Sequence, residues 1–179
     1  MKKTVAAAAM AGMMAGGGAQ AAGPEDTLVM ELRTGTVIIE MRPDLAPNHV
    51  ARVKELTREG FYDGLKFHRV IDGFMAQTGD PRGDGTGGSG QNIDAEFSNA
   101  SFERGTVGMA RSQNPNSADS QFFIMFDRAP HLDGQYTVLG QVIEGMEHVD
   151  RVKKGIASMN GVVQNPDTIV SMKVQADTQ

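Results

Sequence analysis

The sequence predicts a mainly β domain, an antiparallel barrel or sandwich accompanied by two isolated helices. Many short apolar segments are separated by turn residues, and only two stretches have helical spacing. Glycine accounts for 22 of the 179 residues, which favours the tight turns that join short strands. The strand–helix–strand alternation of a parallel α/β fold is absent. The length suits one domain with its own hydrophobic core.

The first two elements follow from residue spacing. TLVMELRTGTVIIEM, residues 27–41, alternates apolar and polar residues on both sides of a Thr-Gly pair, which predicts a β-hairpin. In RPDLAPNHVARVKELTREG, Pro47 suits the first turn of a helix and Gly60 its end. Between them, apolar residues recur at helical spacing: Val50, Val53 and Leu56.

The rest of the chain reads as further short strands and one more helix. EGMEHVDRVKKG, residues 144–155, predicts a short helix that has basic residues in its last turn and ends at Gly155. Before this helix, glycine-rich loops separate the predicted strands. The predicted strands are LKFHRVI, GFMAQTG, GTVGMA, SQFFIMF, YTVLGQVI and TIVSMKVQA.

The first residues predict a cleavable signal peptide. MKKTVAAAAMAGMMAGGGAQAAG has two lysines, an uncharged apolar run too short and too rich in Ala and Gly to span a bilayer, and then small residues. Ala19-Gln20-Ala21 fits a cleavage site, so residues 1–21 would be removed and residues 22–179 would form a single domain. We therefore expect a periplasmic protein without stable membrane insertion. The alternative is a flexible, tag-like tail.

The charge and the cysteine content argue against some classes of partner and some covalent modifications. The formal charge is −5, and it becomes −7 without Lys2 and Lys3, which argues against a nucleic-acid partner. The chain has no cysteine, so it has neither a disulfide framework nor a lipid-anchoring cysteine. We expect a soluble monomer.

Three site motifs are considered and set aside. Residues 83–88, GDGTGG, match G-x-G-x-x-G, but no helix follows, so a mobile surface loop is predicted and a nucleotide cofactor is not. The four histidines lack the spacing of a zinc motif, so no metal is expected. No G-x-S-x-G elbow nominates a nucleophile.

Polar residues inside apolar segments mark a candidate site. Arg69 and Gln77 stand in FHRVIDGFMAQTGD, and Gln121 stands in SQFFIMF. A buried guanidinium is costly unless it is paired. Either Arg69 pairs with a buried acid while the glutamines satisfy loop backbone, or these residues face a ligand pocket.

The order of motifs resembles a known family. FHRVIDGFMAQTGD is followed by GTGG, GMA, SQFFI and LDGQYTVLGQVIEGMEHVD. Together they resemble the cyclophilin-type peptidyl-prolyl cis-trans isomerases from about Thr27 to about Val174. The resemblance implies an eight-stranded antiparallel barrel capped by two α-helices, with the site on the outer barrel face. It also implies proline-containing segments of unfolded or folding proteins as partners, and no cofactor.

The resemblance also implies site residues. The implied catalytic residues are Arg69, which falls on the family's catalytic arginine, and Gln77, which falls on the polar rim of the pocket. Tyr136 replaces a histidine of the animal members, and His131 replaces a tryptophan, a change that weakens the expectation of cyclosporin sensitivity. The implied substrate-binding residues are Phe74, Met75, Ala110, Arg111, Ser112, Gln121, Phe123, His131, Leu132 and Tyr136.

Three functions are compared. The first is a prolyl isomerase in which Arg69 donates to the proline nitrogen as the bond twists, while an apolar pocket holds the ring. The second is a peptide-binding or chaperone module on the same fold with little catalysis. The third is a lipocalin-like barrel with a small ligand inside, although large apolar side chains should fill that interior.

Overall fold

The computed structural model describes residues 21–179, which form one eight-stranded antiparallel sheet and two α-helices. The predicted signal peptide, apart from its last residue, lies outside the described residues. The helices are α1, Pro47–Arg58, and α2, Met146–Asp150. The strands are β1 Thr27–Leu32, β2 Gly35–Met41, β3 Arg69–Ile71, β4 Met75–Thr78, β5 Thr106–Met109, β6 Phe122–Met125, β7 Val138–Glu144 and β8 Ile169–Val174.

The sheet curls until its two edges meet. The strand order is β3-β4-β6-β5-β7-β2-β1-β8, so β3 and β8 are the edges. The segment just before β3 pairs with the segment at the start of β8: the Phe67 N–H donates to the Asp167 carbonyl at 2.9 Å, and the Ile169 N–H donates to the Leu65 carbonyl at 2.9 Å. The predicted eight-stranded barrel is therefore confirmed, and the sandwich is not adopted.

The predicted hairpin is confirmed with its register. β1 pairs with β2 from Thr27 opposite Glu40 to Leu32 opposite Gly35. Alternation then sends one face of each strand into the barrel. The buried residues of those faces are Leu28, Met30, Leu32, Val37, Ile39 and Met41.

The two helices differ in how well the sequence predicts them. α1 begins at Pro47, buries its apolar residues against the barrel and is followed by Gly60 at a left-handed φ of 72°, as expected. α2 is shorter than the predicted segment and ends at Asp150. The reason is that Gly155 already pairs with the sheet, its N–H donating to the Val70 carbonyl at 2.8 Å. A helix that continued to Gly155 could not place this N–H against the Val70 carbonyl.

Side chains fill the barrel, so the interior holds no room for the lipocalin-like alternative. Among the largest fully buried side chains are Tyr62, Phe67 and Phe122, with the apolar faces of β1 and β2 packed against them. A second apolar cluster, built around Met75, Phe102 and Phe123, is separate from this core. Among residues 21–179, no helix has the length and apolar composition that a membrane crossing requires.

Candidate active site on the outer face of the sheet

Strand alternation places the candidate residues outside the barrel. On β3, Val70 packs into the core and Arg69 points the other way; on β6, Phe122 belongs to the core and Phe123 to the second cluster. Strand register then brings three of these residues side by side, because Arg69 is opposite Gln77 and Gln77 is opposite Phe123. The site is thus built across β3, β4 and β6.

These residues line a groove of about 670 Å³ on the protein surface. Most of the predicted site residues line it: Arg69, Phe74, Met75, Gln77, Ala110, Arg111, Phe123, Leu132 and Tyr136. Gln121 and His131 do not line it directly. Gln121 lines an adjoining polar depression with Ser112, and the exposed His131 stacks on Phe74.

Aromatic stacking holds the apolar wall of the groove. Phe123 stacks on Phe102 with ring centroids 5.9 Å apart, and Tyr136 meets Phe123 edge to face at 5.8 Å. His131 stacks on Phe74 at 5.6 Å. These contacts fix the ring planes, so the groove presents a preformed apolar surface beside the Arg69 guanidinium.

A chain of amide hydrogen bonds runs from Arg69 to the glycine-rich loop. Arg69 Nη1 donates to Gln77 Oε1 at 3.1 Å, and Gln77 Nε2 donates to Gln121 Oε1 at 2.9 Å. Gln121 Nε2 then donates to the carbonyls of Gly85 and Gly87 at 3.1 and 2.8 Å. Gln121 therefore satisfies loop backbone, as one alternative held for both glutamines, whereas Gln77 bonds only to side chains and orients the arginine.

On its other side, Arg69 meets one residue. Nε donates to the Asn160 carbonyl and Nη2 donates to Asn160 Oδ1, each at 3.0 Å. In the part of the chain that the structure describes, no carboxylate pairs with Arg69, so the buried-acid alternative is wrong. Partial burial lowers the pKa of the Arg69 guanidinium from its ordinary value.

The segment after β5, which contains Ala110 and Arg111, forms another side of the groove. The Ala110 N–H donates to the Gln121 carbonyl at 3.0 Å, which continues the sheet to that point. The Arg111 guanidinium lies over the Tyr136 ring, 4.5 Å from its centroid, and Nη2 donates to the Gln135 carbonyl at 2.7 Å. Arg111 thus supports the wall as a stacked cation.

The sequence missed two parts of the site. Residues 83–85 line the groove, and their loop is held by the buried Asp80 carboxylate, which accepts from the N–H groups of Arg82, Asp84 and Gly85. An Asp before a glycine-rich run is a signal for such anchoring. Asn160 also lines the groove; its Asn-Gly sequence indicates a turn, but nothing local connects it with Arg69.

Metal-ligand geometry is not found in the part of the chain that the structure describes. Within residues 21–179, no group of three or more His, Asp or Glu side chains is arranged to share a metal ion. The polar groups that surround Arg69 are instead amides and a backbone carbonyl. This set can bind a peptide and stabilise charge that develops on it.

Comparison with known proteins identifies the family. Residues 27–174 match the model of the cyclophilin type peptidyl-prolyl cis-trans isomerases. A probable peptidyl-prolyl cis-trans isomerase of Brucella suis is 54% identical over 193 aligned positions, covering 100% of this chain and 98% of the relative. Peptidyl-prolyl cis-trans isomerase B of Bacillus subtilis is 44% identical, covering 65% of this chain and 82% of the relative.

Solved structures lead to the same family. A cyclophilin of Hirschia baltica superposes with a TM-score of 0.78 at 28% identity, covering 88% of this chain and 77% of that one. A Cryptosporidium parvum cyclophilin, determined in the presence of the dipeptide Ala-Pro, has a TM-score of 0.75 at 27% identity and covers 83% and 98%. The chain belongs to the cyclophilin-type peptidyl-prolyl cis-trans isomerases.

Proposed function

We propose that the groove accelerates rotation about X-Pro bonds in exported proteins as they fold, with Arg69 as the catalytic residue. The observation that carries this proposal is a guanidinium held by neutral amides beside an apolar aromatic wall. A carboxylate partner would have occupied the fork. Without one, the charge remains available to a ligand.

The chemistry of the bond explains why such a cation helps. Rotation about an amide has a barrier of about 18–20 kcal/mol because the nitrogen lone pair is delocalised into the carbonyl. Twisting the X-Pro bond returns that lone pair to the nitrogen, where a donor can bind it. Since the planar ground state offers no such acceptor, a hydrogen bond from Arg69 stabilises the transition state selectively.

The guanidinium has donors left for this role. Its three hydrogen bonds use one N–H on each nitrogen, and a guanidinium has five N–H groups. The second N–H of Nη1 and the second N–H of Nη2 remain for a group in the groove. The two amide partners keep this fork in a fixed plane, so little reorganisation is needed when the substrate twists.

The other residues of the groove would bind the proline ring and the peptide backbone. Phe74, Met75, Phe123 and Leu132 offer an apolar surface for the proline ring, which also excludes water and strengthens the field of Arg69. Gln77 and the backbone of residues 110–112 would hold the peptide while one side of the bond turns. The Cryptosporidium parvum structure with Ala-Pro supports a proline-containing ligand.

We also propose that the protein is exported, and this part of the proposal rests on the sequence of its first residues. Lys2 and Lys3, the uncharged run and Ala19-Gln20-Ala21 have the order of a secretory signal. The protein would then act in the periplasm of a Gram-negative bacterium on chains that fold after translocation.

The direct test replaces Arg69. A hydrogen bond to a charged group contributes about 1.5–3 kcal/mol, and each ~1.36 kcal/mol is tenfold in rate. We therefore expect Arg69→Ala to slow cis–trans exchange of a proline peptide by roughly a hundredfold, measured in a protease-coupled assay. Arg33→Ala, which removes an exposed arginine elsewhere, should leave exchange unchanged.

Two outcomes would contradict the proposal. Unchanged turnover in a folded Arg69→Ala variant would remove the arginine from the mechanism. Tight binding of proline peptides by the wild-type protein with negligible exchange would favour the peptide-binding alternative. NMR of the same peptide, with exchange spectroscopy for the cis–trans rate, measures both turnover and peptide binding without a protease.

A further inference from the structure

Asn160 sits in a strained turn directly against Arg69. It follows a short 3-10 turn, Ala157–Met159, and its φ of 54° is left-handed, a conformation that Asn tolerates better than most side chains. The next residue, Gly161, is also left-handed at 82°. This backbone is locked to the sheet, because the Val70 N–H donates to the Gly161 carbonyl at 2.8 Å.

The conformation aims both oxygens of Asn160 at the same guanidinium. Its backbone carbonyl accepts from Nε and its Oδ1 accepts from Nη2, so Asn160 holds one edge of the Arg69 fork at two points. Gln77 holds Nη1 on the opposite side. A turn that needed only left-handed backbone would be satisfied by Gly, which offers the carbonyl but no side-chain acceptor.

We propose that Asn160 is a positioning residue that fixes the plane of the Arg69 guanidinium for the twisted X-Pro bond. The inference rests on the proposed function of Arg69 and adds a second residue to it. An arginine side chain has many rotamers, and its planar fork is useful only in the right orientation. Two bonds from one rigid turn remove that freedom before the substrate arrives.

The proposal predicts an effect on turnover and not on ground-state binding. In Asn160→Gly the left-handed backbone and the Nε contact are retained, and only the Oδ1 acceptor is removed. We expect kcat to fall by about tenfold, the lower end for a bond to a charged group, with KM within about twofold. Asn160→Asp keeps an oxygen at the same place but puts a carboxylate against the guanidinium, which would neutralise its charge, so its kcat should also fall below that of the wild type.

A matched control is available in the same region. Asn165 also has a left-handed φ, 52°, and its side chain is exposed. Asn165→Gly makes the same chemical change at another left-handed position, where the side chain has no hydrogen bond to Arg69. Its kcat and KM should equal those of the wild type, and thermal unfolding of each variant would verify that the fold is intact.

A double-mutant cycle separates positioning from a structural role. If Asn160 acts through Arg69, then Asn160→Gly should change kcat little in an Arg69→Ala background. An equal fall in both backgrounds, wild-type kcat in Asn160→Gly, or a rise in KM alone would overturn the inference. Failure of Arg69→Ala to slow exchange would instead overturn the proposed function, so the two failures are distinguishable.

Discussion

Arg69 keeps a partly buried charge because its neighbours are neutral acceptors. Amide and carbonyl oxygens of Gln77 and Asn160 satisfy one N–H on each guanidinium nitrogen, which offsets part of the cost of leaving water. They do so without neutralising the charge. At the scale of the residue, this is the difference between an arginine that stabilises the fold and one that can act on a ligand.

The buried carboxylate of Asp80 is expected to make the stability of the fold depend on pH. Burial raises the pKa of this carboxyl, but the backbone N–H groups of residues 82–87 outweigh burial, and its pKa lies below the ordinary value. Since the folded state prefers the carboxylate, the stabilisation is complete above the unfolded pKa of about 3.9 and is lost as pH falls through the folded pKa.

We therefore expect Asp80→Asn to lower the free energy of unfolding by about 1–3 kcal/mol at pH 7, because its N–H partners lose a charged acceptor. The difference from the wild type should shrink as the pH falls below about 4, measured by urea titration. Asp72→Asn, at an exposed position of the same region, is the control. A pH-independent difference would show that the charge of Asp80 is not what anchors the loop.

At the scale of the element, the close approach of β5 to two rings shapes the groove. A Cβ on Gly108 would lie 2.5 Å from Phe123 Cζ and 2.6 Å from Phe102 Cε1. The two rings can stack under the apolar wall only because this strand position has no side chain. The glycine of GMA is therefore explained by packing.

Gly108→Ala should force Phe123 out of its stacked position. We expect a loss of about 1–3 kcal/mol in unfolding free energy, as for other overpacked sites, together with a higher KM for proline peptides. Guanidinium denaturation and steady-state exchange kinetics would measure the two effects. Gly23→Ala, where a Cβ meets nothing within 4 Å, should change neither. Wild-type stability and KM in Gly108→Ala would contradict this account of the wall.

The strands were more predictable than the connections. Short apolar segments between turn residues identified all eight strands, including β5 and β6, which are buried on both faces. The same pattern overestimated β3, which has only Arg69–Ile71 inside the sheet. The residues before it pair with the start of β8 through isolated bonds instead. α2 was overestimated for a similar reason: tertiary pairing of Gly155 ended it early.

At the scale of the whole molecule, α1 connects the two ends of the described chain. Arg58 donates to Glu25 at 2.8 Å and to Asp177 at 2.9 Å, so residues near both ends meet on one helix. These pairs are exposed, and exposed pairs contribute little stability. The packed barrel dominates the stability of the domain.

Export is tested on the full chain. Expressed in a Gram-negative bacterium, the protein should be recovered from the periplasm with Ala22 as its first residue, as measured by intact mass and N-terminal sequencing. A variant lacking residues 2–21 should remain in the cytoplasm with the same isomerase activity. Recovery of the full-length chain from the cytoplasm with residues 1–21 still attached would contradict the signal-peptide prediction.

The sequence by itself determined the class of strands and, through its motifs, the family, and the family resemblance implied the outer-face position of Arg69, Gln77 and Phe123. Strands and sequence motifs are local features, so the spacing of residues along a short segment suffices to predict them. Only the tertiary structure decided what holds the arginine. Asn160 is 91 residues from Arg69, and Gln121 is 36 and 34 residues from Gly85 and Gly87. Such contacts depend on strand order and barrel closure, which no local pattern encodes.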